Sequence, residues 1–180
     1  MTFRNDNETL EVASLTARDA PVVAQRLASD PDGLTATGAD APHDETALAR
    51  VIGTSIVGGS RLWRVRVGDD LFGAIVGDDP FSTDEQRMFV WLNPRHRGDD
   101  LGIKLVAETI RRLAREGRER VVVKPPRSNY AALRILNALE FIYVGEAKGG
   151  DSESEPKVLF ERGTSGGPSP TLRTNRDDTG

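Results

Sequence analysis

Apolar residues recur along residues 10–162 with two periods, one near 3.6 residues and one of two residues. The longer period predicts helices and the shorter predicts strands, because side chains on one face lie three or four positions apart in a helix and two apart in a strand. The predicted elements are, in chain order, a strand over 10–15, helices over 17–28 and 45–57, strands over 61–67, 71–76 and 87–92, a helix over 101–115, a strand over 120–123, a helix over 129–139, and strands over 141–144 and 157–161. This order predicts an α/β domain.

The segments outside these elements lack such periodicity. Residues 1–9 are largely polar and predict a flexible amino terminus without the apolar stretch of a signal peptide. Residues 33–44 are rich in Gly, Asp, Thr and Ala and predict a mobile loop. In residues 163–180 Leu172 is the only sizeable apolar side chain, so this tail cannot bury enough surface to offset its ordering entropy. We therefore expect one folded domain over 10–162, followed by a disordered tail.

Composition excludes several classes of function. The chain of 180 residues carries a net charge of −4, contains no cysteine, and has two histidines, His43 and His96. The negative charge argues against nucleic acid as a partner, and the missing cysteines exclude disulfides, thiolate metal sites and a cysteine nucleophile. The histidines have no neighbouring ligands in the sequence, so no metal is expected. No apolar run is long enough to span a membrane, so we expect a cytoplasmic protein without a membrane partner.

The strongest chemical signal is the segment between the predicted strand over 87–92 and the predicted helix over 101–115. It reads Leu-Asn-Pro-Arg-His-Arg-Gly-Asp-Asp-Leu-Gly. A strand that turns through Arg97 and Gly98 into a helix presents the free N–H groups and the positive end of that helix, which together hold phosphates. Alternatively, Asp99 or Asp100 caps the helix and satisfies those N–H groups without any phosphate.

A second signal lies on the helix after the Val121–Val123 strand, where Asn129 and Ala132 open the helix and Phe141 follows its end. These residues, the Arg97–Gly102 loop and the order of the elements together resemble the acyl-CoA-binding core of the GNAT N-acetyltransferase superfamily. The pattern is closest to its ribosomal-protein and aminoglycoside N-acetyltransferase branch. The resemblance implies a GNAT-like α/β fold, with a mixed, mostly antiparallel sheet of six to seven strands, flanked by about four helices and splayed between its fourth and fifth strands.

The resemblance also implies an activity. It covers residues 10–162 in the order of elements, and its motifs lie within 88–141. The implied enzyme moves an acetyl group from acetyl-CoA to a primary amine by direct attack, without a metal. The acceptor would be an amine-bearing small molecule or the amino terminus of a protein, and the enzyme a monomer or homodimer. By position in the motifs, the cofactor-binding residues would be Val90, Trp91, Leu92, Arg97, Gly98, Asp99, Asp100, Gly102 and Asn129.

Proton transfer in such an enzyme needs a base for the amine and an acid for the leaving thiolate. The resemblance implies a carboxylate near the start of the fourth strand that accepts the amine proton through water. Glu85 is the first choice for this base, with Asp84, Glu146 or solvent as alternatives. Tyr130 and Tyr143 are the candidate proton donors, of which Tyr130 is preferred.

Three positions depart from the family pattern. Leu136 stands where many members have a tyrosine acid, and Asp100 and Glu140 stand where the family has glycine. A carboxylate beside a pyrophosphate costs about 1–4 kcal/mol, depending on the local dielectric. A second interpretation therefore remains open, in which the chain is a catalytically weak or inactive GNAT-fold binding or regulatory module.

Overall fold

The computed structural model describes residues 2–5, 8–84, 86–98, 100–147 and 156–164. The strands in these ranges are β1 (Thr2–Asn5), β2 (Glu8–Ser14), β3 (Leu62–Val67), β4 (Asp70–Asp78), β5 (Met88–Leu92), β6 (Arg120–Val123), β7 (Ile142–Glu146) and β8 (Val158–Gly163). The helices are α1 (Ala20–Ala28), α2 (Pro31–Ala36), α3 (Glu45–Val57), α4 (Leu101–Arg115) and α5 (Tyr130–Ala138). Short 3-10 turns precede α1 and α4.

The strands form two antiparallel sheets that meet at one point. The first sheet has the order β1-β2-β3-β4-β5 and the second the order β6-β8-β7. Arg87 and Val122 form a parallel bridge between the two sheets, and the Val122 N–H donates to the Gln86 carbonyl at 2.8 Å. Beyond this bridge β5 and β6 diverge, which confirms the splay expected between the fourth and fifth predicted strands. The structure thus confirms the expected fold class, and in the described part of the chain the splay divides the strands into two sheets, with eight strands and five α-helices where six to seven and about four were expected.

Two hydrophobic cores cover the two faces of the larger sheet. Side chains alternate across a strand, so Met88 of β5 joins one core and Phe89 joins the other. The first core packs one face against α4 and α5, and its members include Trp63, Val65, Val76, Leu105, Ile110 and Leu136. The second packs the other face against α1 and α3, and its members include Val23, Leu27, Leu48, Ile52, Ile75 and Trp91. Strand β5 is thus held from both sides along its whole length.

The helix α2 corrects the first part of the predicted loop over residues 33–44, since the helix ends at Ala36. Asp30 is the N-cap of this helix, because its Oδ1 accepts a hydrogen bond from the Gly33 N–H at 3.2 Å. Pro31 occupies the first helical position, where its fixed φ and missing N–H are tolerated. The Asp-Pro pair therefore begins a short helix that extends into the segment predicted to be a mobile loop.

The ends of the chain differ in how far the structure describes them. The strand β1 pairs with β2, from Thr2 opposite Glu11 to Asn5 opposite Glu8. The sequence analysis predicted a flexible segment here and no strand. At the other end, Gly163 closes β8, and the expected disordered tail otherwise lies almost wholly outside the described residues. None of the described helices is long and apolar enough to cross a membrane.

Candidate active site

A cleft of about 240 Å³ opens where β5 and β6 diverge. Five parts of the fold contribute to its walls: α2, β5, the first turns of α4, the end of β6 and the start of α5. The lining residues are Gly33, Ala36, Thr37, Met88, Val90, Trp91, Leu92, Arg97, Gly102, Val106, Val123, Pro125, Asn129, Ala131, Ala132, Ile135 and Leu136. Most of these side chains are apolar, so the cleft suits an uncharged, extended chain whose charged end remains outside.

The backbone of β5 presents polar groups to this cleft. Two hydrogen bonds fix the register of its antiparallel pairing with β4. The Arg87 carbonyl accepts from the Asp79 N–H at 2.9 Å, and the Asn93 N–H donates to the Gly73 carbonyl at 2.8 Å. Such ladders alternate, so the backbone groups of Val90 and Leu92 point away from β4 and toward the split. Of the three cofactor-binding residues predicted on β5, Val90 and Leu92 therefore turn their backbone groups toward the cleft, whereas the Trp91 backbone bonds to β4.

The loop between β5 and α4 ends at the mouth of the cleft. Gly98 has φ +102°, a conformation that favours glycine, and no atom lies within 4 Å of where its Cβ would be. Helix α4 begins at Leu101, and the Asp100 side chain makes no capping hydrogen bond to it. Asp99 lies outside the described residues. The first turn of α4 is therefore an electropositive helix end that Asp100 does not neutralise by capping.

Gly102 has a packing role in addition to its place in the loop. A Cβ at this position would lie 2.8 Å from Ile135 Cδ1, so glycine allows α4 and α5 to approach each other. Both residues line the cleft. Gly102 therefore sets the width of the cleft where α4 and α5 approach each other.

Asn129 joins two walls of the cleft. Its Oδ1 accepts a hydrogen bond from the Ala132 N–H at 3.0 Å and so caps α5, while its Nδ2 donates to the Ala36 carbonyl of α2 at 2.7 Å. Both ends of the amide are engaged within the protein. The predicted cofactor residue thus lies in the cleft lining, where it holds α5 to α2.

The arginine of the motif lies across the cleft mouth. Arg97 Nε donates to the Leu92 carbonyl at 2.9 Å, and its guanidinium pairs with the Asp30 carboxylate. The same carboxylate accepts from Trp91 Nε1 at 2.8 Å. Sequence analysis missed Asp30, whose only signal was the Asp-Pro start of a short helix.

The proton-transfer candidates are spread over different parts of the molecule. Glu85 lies outside the described residues, and the neighbouring Asp84 lines a separate polar depression with Arg61 and Arg118. Tyr130 has 75% of its surface exposed and follows Asn129 at the rim of the cleft without being among its lining residues.

The two alternative candidates lie on β7. Tyr143 is 53% exposed and packs edge-on against Phe160, with 5.6 Å between ring centroids. Glu146 forms an exposed ion pair with Arg127. Neither residue is among those that line the cleft. The structure therefore does not bring the described candidates together, and their roles stay predictions.

The departures from the family pattern have local explanations. Leu136 is 2% exposed and packs in the core. Glu140 has φ +58° just after α5, a conformation that glycine adopts without strain, and it is the one non-glycine residue with positive φ in the described ranges. Since Glu140 does not line the cleft, the strain of its positive φ lowers the stability of the fold and does not alter the cleft.

A buried ion pair joins the turn between β4 and β5 to the connection between α2 and α3. Arg87 Nε lies 2.9 Å from Asp79 Oδ2, and the same guanidinium donates to the Gly38 carbonyl and lies 3.8 Å from Asp40. Burial raises the pKa of Asp79, and the Arg87 guanidinium opposes this shift. The pair fixes the base of the split, where the two sheets meet. Nothing in the sequence pattern distinguished Arg87 or Asp79 from surface residues.

The described residues contain no group of three or more histidine, cysteine, aspartate or glutamate side chains placed to hold a metal ion.

Solved acetyltransferases share this fold. The ribosomal-protein-S5-alanine acetyltransferase from Vibrio fischeri superposes with a TM-score of 0.67 at 14% sequence identity, over 94% of this chain and 100% of that chain. A spermidine N-acetyltransferase from Vibrio cholerae, solved with CoA and spermine, superposes with a TM-score of 0.69 at 11% sequence identity. The match covers 87% of this chain and 96% of that chain. A ribosomal-protein alpha-N-acetyltransferase solved with coenzyme A superposes with a TM-score of 0.69 at 14% sequence identity. The match covers 90% of this chain and 97% of that chain. No protein-family model and no curated protein matches the sequence.

These similarities confirm the GNAT-like fold expected from the sequence. At such low identities they establish the arrangement of the chain, and the chemistry must be argued from the cleft itself.

Proposed function

We propose that the chain is an acetyl-CoA-dependent N-acetyltransferase that transfers an acetyl group to a primary amine by direct attack. The observation that carries this proposal is the apolar cleft between β5 and β6, which opens onto the positive end of α4. An acyl-CoA has a matching distribution of polarity, with an extended, uncharged pantetheine arm joined to a pyrophosphate. The fold shared with solved acetyltransferases supports the same activity.

The cofactor contacts follow from this match. The amides of Gly98, Asp99, Asp100 and Gly102 would surround the pyrophosphate, since a helix N-terminus favours anions. The backbone groups of Val90 and Leu92 would bond the amides of the pantetheine arm, with Trp91 and Asn129 shaping the walls. Arg97 borders the same end of the cleft.

Transfer requires one bond to form and one to break. The amine nitrogen attacks the thioester carbonyl, and a backbone N–H of β5 that faces the cleft, at Val90 or Leu92, stabilises the oxyanion. The C–S bond then breaks, and the thiolate takes a proton. Glu85 is proposed to accept the amine proton through water, and Tyr130 to protonate the thiolate, as the sequence analysis predicts.

The acceptor is proposed to be an amine-bearing small molecule or the amino terminus of a protein. The enzyme would be a cytoplasmic monomer or homodimer without nucleic-acid or membrane partners. A broad panel of amines and peptides, with thiol release as the readout, identifies the class.

A second candidate function is a GNAT-fold module that binds acyl-CoA without turning it over. The specific observation in its favour is Asp100, a carboxylate at the phosphate loop that caps nothing. Thermal shift with acetyl-CoA and the thiol-release panel separate the two functions. A ligand at one hundred times its Kd stabilises the fold by about 2.7 kcal/mol. A shift with turnover above background supports the enzyme, a shift without turnover on any acceptor supports the module, and no shift contradicts both.

The Asp100 carboxylate is expected to weaken cofactor binding. Replacing Asp100 with Asn removes the charge and keeps the side-chain size, so acetyl-CoA should bind more tightly, by up to about tenfold, with little change in Tm. Asp100→Gly should bind as tightly as Asp100→Asn but melt lower, because glycine adds backbone freedom worth up to about 1 kcal/mol. Isothermal titration and thermal melts measure both effects. Weaker binding by the Asn variant would contradict the charge argument.

A further inference from the structure

We propose that Asp30 and Arg97 form a clamp that positions α2 as a wall of the cleft, and that the Arg97 side chain serves this clamp instead of the cofactor phosphates. The clamp is defined as the Asp30 carboxylate with its three donors from Gly33, Trp91 and Arg97. The inference rests on the proposed function, because the GNAT resemblance assigns Arg97 to the pyrophosphate. Asp30 would then be a positioning residue that acts through α2.

The Asp30 carboxylate is largely enclosed and multiply bonded. Its side chain is 11% exposed, and its Oδ2 accepts from Trp91 Nε1 at 2.8 Å while Oδ1 accepts from the Gly33 N–H at 3.2 Å. The Arg97 guanidinium pairs with Oδ2 through Nη2, and its Nη1 lies 3.5 Å from Oδ1. One carboxylate thus joins the start of α2, the strand β5 and the phosphate loop.

Arg97 is held by all three of its guanidinium nitrogens. Two of them contact the Asp30 oxygens, and Nε donates to the Leu92 carbonyl at 2.9 Å. Paired contacts between a guanidinium fork and a carboxylate are both strong and geometrically specific. Turning this side chain toward the first turn of α4 would leave the enclosed Asp30 carboxylate without its counter-charge. The geometry therefore favours a phosphate site built from backbone amides, with Arg97 retained by Asp30.

Gly33 shows how closely α2 lies against the clamp. A Cβ at this position would collide with the Asp30 carboxylate and with the Arg97 guanidinium, so the space beside Gly33 is filled by the ion pair. Gly33, Ala36 and Thr37 also line the cleft. Loosening the clamp would therefore move a wall that faces the pantetheine arm.

Two ligands distinguish a clamp from a phosphate contact. Acetyl-CoA carries the phosphates, and S-acetylpantetheine carries only the arm and the thioester. If Arg97 acts in the clamp, Arg97→Gln should lower the affinity for both ligands by the same factor, about tenfold. Asp30→Asn, which retains the N-cap of α2, should reproduce this loss for both ligands. Combining the two changes should add little, because either one already opens the clamp.

A conservative variant sharpens the test. Arg97→Lys keeps the positive charge but lacks the planar fork, so a clamp predicts losses close to those of Arg97→Gln for both ligands. Asp32→Asn removes an exposed carboxylate from the same helix and is the matched control for Asp30→Asn, and Arg95→Gln removes an exposed charge from the same turn as Arg97. Both controls should bind the two ligands as the wild type does.

Titration calorimetry and competition binding give a clear decision. Equal losses for the two ligands in the Arg97 and Asp30 variants support the clamp. If Arg97→Gln lost affinity for acetyl-CoA alone, and Arg97→Lys kept that affinity, Arg97 would be assigned to the phosphates and the proposal would be overturned. Unchanged affinity of Asp30→Asn for both ligands would also overturn it. Failure of the wild type to bind acetyl-CoA would instead reject the proposed function, so the two failures are distinguishable.

Discussion

Replacing Gly98 with glutamate is expected to abolish acetyl-CoA binding while the protein stays folded. The new carboxylate would lie in the open space before the first turn of α4, where the phosphates are proposed to bind. Two like charges about 4 Å apart repel by about 4 kcal/mol at an effective dielectric of 20, which corresponds to roughly a thousandfold weaker binding. Titration calorimetry measures the loss, and circular dichroism with thermal melts establishes that the variant folds.

Gly117 supplies a matched control at the opposite end of α4. It has φ +84°, and, like Gly98, no atom lies within 4 Å of where its Cβ would be. Gly117→Glu therefore carries a similar backbone strain and the same added charge. At the C-terminal end of the helix this charge opposes the dipole, by about 0.3–1 kcal/mol, so Gly117→Glu should be at least as destabilised as Gly98→Glu. Only Gly98→Glu should lose the cofactor. Equal affinity in the two variants would place the phosphates elsewhere.

Replacing Arg87 with methionine is expected to destabilise the fold by about 3–5 kcal/mol at neutral pH, because it leaves a buried carboxylate without its partner. The side chains of Arg87 and Asp79 are 5% and 2% exposed, so water cannot substitute for the guanidinium. Urea unfolding measures the free energy. Arg95→Met, at an exposed arginine, is the control and should stay within about 0.5 kcal/mol of the wild type.

The pH dependence of this destabilisation tests its cause. Burial raises the pKa of Asp79 above its ordinary value of 3.8, against the opposing effect of Arg87. The folded state therefore holds this proton more tightly than the unfolded state, and the free energy of unfolding falls as the pH rises from the ordinary pKa through the folded one. Removing Arg87 raises the pKa of Asp79 further. The difference in stability between Arg87→Met and the wild type should therefore be largest at neutral pH and shrink as the solution is acidified.

A second substitution separates the charge from the packing. Asp79→Asn in the Arg87→Met background removes the buried charge and keeps an oxygen for the Phe81 N–H, which Asp79 Oδ1 accepts at 2.9 Å. The double variant should recover a large part of the lost stability at neutral pH and lose the pH dependence described above. A double variant as unstable as Arg87→Met at every pH would show that the lost arginine contacts, including the Gly38 carbonyl, account for the whole effect.

Local sequence signals determined the two elements on either side of the loop between β5 and α4. The periodicity over 101–115 matched α4, and the strand predicted over 87–92, where an apolar run follows Arg87, matched β5 to within one residue. Glycine at position 98 follows from the same local logic, since the turn requires a positive φ. The order of elements was enough to identify the GNAT-like fold and the place where its sheets diverge. Such signals are readable because they depend on residues close together in the chain.

The tertiary structure decided which groups face the cleft and which are already engaged. Asp30 and Arg97 are 67 positions apart in the chain, and Arg87 and Gly38 are 49 apart. No periodicity in the sequence predicts such contacts, because they form only when the α2 region packs against β5. The sequence alone therefore determined most of the elements, their order and the turn between β5 and α4, but neither β1 nor α2. Only the packing of distant segments decided that Arg97 lies across the cleft mouth, that α2 forms one of its walls, and that the base of the split rests on a buried ion pair.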